Sequence, residues 1–198
     1  TYAEWAAEKD SGTKEPVKTP FSSGKTDETD SNSTLDKVRD FDYTDSAAVM
    51  QEIVGFSKKY KDADKEHAVV ISPNGKLYEI TGIEGFVDVG MVGKAAMKGA
   101  YLIHNHPGKD ADSFSKYDLE NFFEHGFSKM VVSFDGKIGI FEYSGTTITK
   151  GNISNFYKKA NESLREKAFY KELSIENEQN QTLEEFCRLN EGASYYEF

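Results

Sequence analysis

At 198 residues the chain is long enough for one domain with extensions, and its apolar content of 37% is below that of an average globular protein. With 34 acidic residues against 24 basic ones, the formal charge of −10 argues against non-specific nucleic-acid binding, which needs a basic surface to displace counterions. The lone Cys187 excludes an intramolecular disulfide and a cysteine-based zinc finger, and no apolar run of transmembrane length and no signal peptide is present.

The opening Thr1-Tyr2-Ala3-Glu4-Trp5 lacks an initiator Met and carries the only Trp, so the chain reads as a piece of something longer. From Glu8 to Thr34 only Val17 and Phe21 are clearly apolar, too little buried surface to offset the entropy of ordering. Residues 1–39 are therefore expected to be an extended or disordered linker, with the folded core beginning near Asp40.

Thr44 or Asp45 can cap a helix through Ala47 to Phe56, whose apolar positions recur at helical spacing. Val69–Ile71 and Leu77–Ile80 read as a hairpin joined by Pro73-Asn74-Gly75. Phe86–Val89 is expected to be a further strand and Val92–Lys98 a short helix, leading through Gly99 to a strand over Tyr101–His106 that Pro107 ends. A Gly/Asp-rich loop follows, then a helix from Ser115. Met130–Phe134 and Ile138–Tyr143, separated by Asp135-Gly136, form a second hairpin. Ile153, Phe156, Tyr157, Ala160, Leu164, Ala168 and Phe169 mark an amphipathic helix over Asn152–Glu172, which either packs across the core or presents a partner-binding stripe. A last helix spans Thr182–Leu189, and the terminal Tyr195-Tyr196-Glu197-Phe198 docks on the domain or on a partner. This order predicts an α/β sandwich with a mixed sheet, residues 151–198 forming a C-terminal helical extension.

The chemistry concentrates in His104-Asn105-His106-Pro107 and Ser115-Lys116-Tyr117-Asp118. Histidines at i and i+2 project to the same side of an extended backbone, so one strand end can aim both rings at one point. A carboxylate from the following helix completes a His-His-Asp set and leaves a fourth tetrahedral position for water, the arrangement of a catalytic rather than a structural zinc. Ser115 and Asp118 also read as a capping box, with Asp118 at the third helical position, where its charge suits the helix dipole. The two roles are compatible, because the cap fixes where the carboxylate points.

This combination resembles the JAMM motif of the JAB/MPN zinc metallopeptidases, and the wording His-Asn-His-Pro-Gly is most similar to their bacterial RadC-type and JAB branches. The resemblance implies a JAB/MPN-like (cytidine deaminase-like) mixed sheet flanked by helices over residues 40–150. It further implies Zn2+ on His104, His106 and Asp118, oxyanion stabilisation by Ser115, and a glutamate on an early strand that moves protons as general base and then general acid. Glu66, Glu79 and Glu84 are the candidates. Glu66 is chosen because it opens the apolar segment Ala68-Val69-Val70-Ile71; Glu79 is expected to face solvent, and Glu84 lies in a Gly-flanked connection. The segment Pro107–Phe114 is one residue longer than the family's usual spacing, an excess that Gly108-Lys109-Asp110-Ala111-Asp112-Ser113 can absorb in turns. Ser113 is the alternative hydroxyl, but has no Asp three residues on. His67 is expected on the opposite face in a surface or supporting role, and His125, before Gly126, as a favourable charge at a helix C-terminus.

The function so implied is a zinc-dependent metallopeptidase or isopeptidase acting on a protein or peptide, including ubiquitin-like ones, with no nucleic-acid or membrane partner. A non-catalytic JAB-fold binding module is the alternative. Thr1-Tyr2-Ala3-Glu4-Trp5 is also similar to the segment following the minor-head (Mu F-type) module of phage morphogenesis proteins. The expected setting is thus the bacterial cytoplasm, or a virion in which the chain is an effector or structural component.

Overall fold

The computed structural model of the chain describes residues 32–108, 111–171 and 178–198, so the expectations for residues 1–31 lie outside the described part. Thr34–Asp40, expected within the linker, is instead strand β1, paired antiparallel with Lys76–Thr81 (β3). Nothing local signals this strand, because an edge position lets its side chains stay polar and solvated; even Leu35 and Val38 are exposed.

The remaining strands are His67–Ser72 (β2), Tyr101–Asn105 (β4), Lys129–Phe134 (β5), Lys137–Tyr143 (β6) and Ala193–Glu197 (β7). Their order is β1-β3-β2-β4-β5-β6-β7, a mixed sheet in which β4 and β5 alone are parallel. Both expected hairpins are present, the second turning at Asp135 and Gly136 with positive φ at each. β7 corrects the reading of residues 151–198 as a helical extension: the terminal aromatics join the sheet beside β6 and so dock on the domain itself.

The described α-helices are Ser46–Tyr60 (α1), Lys94–Met97 (α2), Lys116–His125 (α3), Ile153–Lys171 (α4) and Glu178–Leu189 (α5). Asp45, not Thr44, caps α1 by accepting the Ala47 and Ala48 N–H groups at 2.9 and 3.0 Å. The expected strand Phe86–Val89 is a turn bridged between Ile83 and Phe86, followed by a 3-10 turn over Val89–Val92. Asp88 opens the 3-10 turn by accepting the Gly90 N–H at 2.8 Å, a local contact that curls the backbone away from an extended path. The short helix expected from Val92 shrinks to α2, and the last helix starts at Glu178, before Thr182.

Alternation through the central strands divides the core into two layers. Val69, Ile71 and Ile103 meet Val49, Ile53 and Phe56 of α1. Ala68, Val70 and Leu102 face the other way, onto Leu119 and Phe122 of α3, Ala160 of α4 and Leu183 and Phe186 of α5. Two residues beyond Leu102, His104 shares that second side.

A buried carboxylate locks α4 to α5. Glu185 accepts from Ser163 Oγ at 2.7 Å, Lys167 Nζ at 2.6 Å and Arg188 Nε and Nη2 at 2.8 and 2.7 Å. The Arg188 bonds lead in holding its pKa down to about 2, burial opposes them, and Lys167 and Ser163 add to the lowering. Because the folded value lies below the ordinary 4.5, this stabilisation is complete above about pH 4.5 and is lost as pH falls through about 2. Glu185→Gln is therefore expected to lower stability at pH 7 by about 1–2 kcal/mol and to weaken the acid dependence between those limits, read by thermal melts across pH.

Candidate metal centre

The one parallel connection sets up the site. In a strand–helix–strand unit the helix begins close to where its strand ends, so the C-terminal end of β4 and the first turn of α3 meet. His104 lies near the end of β4, His106 follows it, and Asp118 is the third residue of α3. His104 Nε2 is 3.2 Å from His106 Nε2 and 3.3 Å from Asp118 Oδ1, and His106 Nε2 is 3.5 Å from Asp118 Oδ2. Tetrahedral zinc with bonds of ~2.0 Å separates its ligand atoms by ~3.3 Å. The three side chains therefore form a group that could hold a metal ion.

Two of the three candidate ligands, His106 and Asp118, are held by hydrogen bonds from outside the group. His106 Nδ1 faces the Asp112 carbonyl at 2.9 Å, a partner only an N–H satisfies, which turns Nε2 towards the other two residues. Its backbone N–H is tied to Ser133 of β5 at 2.9 Å. His104 is buried, with Nδ1 lacking a hydrogen-bond partner. The capping box is present: Ser115 Oγ accepts the Asp118 N–H at 3.2 Å, while the Ser115 N–H and hydroxyl donate to Asp118 Oδ2 at 2.6 and 2.7 Å.

Burial opposes charge on Asp118, yet the His106 and His104 imidazoles hold its carboxyl well below the usual range. Burial likewise works against a charged His106, but Asp118 and the Asp112 carbonyl outweigh it and push the ring up to about 9. A cation entering here displaces that proton.

Glu66 sits just before β2 and lines the same cleft as His104, His106, Ser115 and Asp118, a space of about 1310 Å³. Burial raises its pKa, the two imidazoles pull it back, and Asp118 adds to the rise. Glu79 is directed elsewhere, into ion pairs with Lys37, Arg39 and Lys59 rather than freely into solvent. Glu84 is exposed on the cleft wall.

Across the loop that follows Pro107, Asp118 reaches the histidines, residues 109–110 lying outside the described part. The far end of this loop is pinned to α5: the Ser113 N–H donates to Asn180 Oδ1 and the Ser113 carbonyl accepts from Gln179 Nε2, both at 3.0 Å. Ser113 is fully buried and does not line the cleft, whereas Ser115 does. Phe114 is also fully buried, with ring centroids 6.1 Å from His104, 6.3 Å from Phe141 and 6.0 Å from Tyr195. Phe114→Ala is expected to lower unfolding free energy by about 3–5 kcal/mol in denaturant melts, because the cavity cannot close around the remaining rings.

His67 is outside this cleft, as expected, stacked on Tyr60 at 3.9 Å with Nδ1 3.0 Å from Thr81 Oγ1. His125 does close α3 before Gly126, but the expected favourable charge is corrected. Burial pulls its pKa down, its Nδ1 is buried without a partner, and the ring packs edge-on against Phe127. Asn105, Asp112, Gln179 and Asn180 support the site without a legible sequence signal, since they act on backbone groups or, for Asp112, through a backbone carbonyl.

Fold and site together define a mixed α/β protein whose His-His-Asp group can hold a metal ion; no helix among the described residues is long and apolar enough to cross a membrane. No protein family, curated protein or solved structure matches this chain.

Proposed function

We propose that the chain is a zinc-dependent metallopeptidase or isopeptidase of JAB/MPN type, hydrolysing a peptide or isopeptide bond in a protein substrate. The observation that carries this reading is a carboxylate outside the ligand set, Glu66, lining the same cleft as His104, His106 and Asp118. Imidazole and carboxylate ligands at tetrahedral spacing favour zinc. Bound there, zinc supplies Lewis acidity for a carbonyl and acidifies water towards a pKa of ~7. Glu66, raised by burial, is suited to accept the water's proton and deliver it to the departing amine. Ser115 holds the Asp118 carboxylate at rest, and its hydroxyl lies in the cleft where it can turn to the developing oxyanion.

The test is zinc content by elemental analysis of the purified protein, followed by hydrolysis of a peptide library and of ubiquitin-like conjugates with and without chelator. About one zinc per chain with chelator-sensitive cleavage is expected. No zinc after reconstitution would replace this reading with a non-catalytic binding module.

A further inference from the structure

We propose that Asn105, between the two histidines, is the positioning residue that sets where Glu66 stands relative to the imidazoles. Its importance for turnover rests on the reading of Glu66 as proton carrier; the positioning itself does not.

The antiparallel pairing of β2 with β4 extends to Ala68 opposite His104 and goes no further. Where the next pair would be His67 opposite Asn105, the Asn105 side chain takes over. Its Oδ1 accepts the His67 N–H at 2.7 Å and its Nδ2 donates to the Lys65 carbonyl at 3.0 Å. Those groups belong to the two peptide planes that flank the Glu66 Cα. The other polar group of each plane is also held: the Glu66 N–H donates to the Ile83 carbonyl at 3.0 Å, and the Glu66 carbonyl accepts from the Gly82 N–H at 2.8 Å. Both planes are thus pinned at both ends, which determines the direction of the Glu66 Cα–Cβ bond.

Only a short planar group with an acceptor on one side and a donor on the other can make both bonds. Aspartate has the shape but lacks the donor; leucine has neither group. Asn105 is 1% exposed and is absent from the cleft lining, so it reaches substrate only through Glu66. Being covalently flanked by His104 and His106, it couples proton carrier and ligand pair as one rigid piece.

The experiment compares wild type with Asn105→Ala and Asn105→Asp. In the metal-free proteins, amide exchange at His67 and residual dipolar couplings of the Glu66 and His67 N–H vectors are read by NMR. Zinc per chain, kcat and KM are measured in the reconstituted proteins. The proposal expects at least tenfold faster His67 exchange and altered Glu66 and His67 couplings in Asn105→Ala, with the His104 and His106 couplings and the zinc content retained. Asn105→Asp, which keeps the acceptor, should fall between. Turnover should drop about 10–100-fold in kcat at nearly constant KM, part of the ~10²–10⁴-fold that a well-placed proton carrier contributes. Unchanged Glu66 and His67 couplings in Asn105→Ala would overturn the proposal, as would loss of zinc in step with turnover, which would place Asn105 in service of the ligands. Shifted couplings in a protein that holds no zinc would uphold the positioning and overturn the peptidase reading instead.

Discussion

Asp118→Ala is expected to take bound zinc from about one per chain to near zero in elemental analysis, the largest single effect anticipated for this protein. Two imidazoles 3.2 Å apart remain, but the carboxylate that approaches both of them is gone. The substitution also removes the acceptor for the Ser115 N–H and hydroxyl, half of the capping box, at a cost of about 1 kcal/mol to the start of α3. Asp118→Asn separates the two effects. Its amide oxygen can still accept from Ser115, so folding should be preserved while the lost charge weakens zinc binding. Full zinc retention by both variants would remove Asp118 from the ligand set.

Glu66→Gln is expected to keep zinc and fold yet lose about 10²–10⁴-fold in kcat, measured as chelator-sensitive hydrolysis of whichever substrate the library yields. The amide matches the carboxylate in shape but cannot carry a proton between water and leaving group. Stability should be unchanged or slightly higher at neutral pH. Glu66 has a raised pKa in the fold because burial disfavours its charge, and a neutral side chain avoids that cost above the ordinary carboxylate range. Wild-type turnover in the variant would transfer the proton-carrying role to another group, with Glu84 on the cleft wall the first to test.

Several features that depend on residues near in sequence were legible before the fold was known. The i, i+2 alternation that aims His104 and His106 together, the i, i+3 reach of the Ser115–Asp118 cap, the turn chemistry at Gly75 and at Asp135-Gly136, and the helical spacing of Val49, Ile53 and Phe56 are all local, and all are present. Tertiary structure decided the rest, because those features depend on which element lies beside which. Thr34–Asp40 and Ala193–Glu197 became strands because β3 and β6 offered edges for them to pair with. His125 carried the residue type of a charged helix end, and burial among its neighbours overrode it. Glu66 was distinguished from Glu79 in sequence by the strand it opens. Its approach to the histidines depends on β2 lying next to β4, and on hydrogen bonds from Asn105 to backbone groups some 40 positions away, which no local pattern encodes.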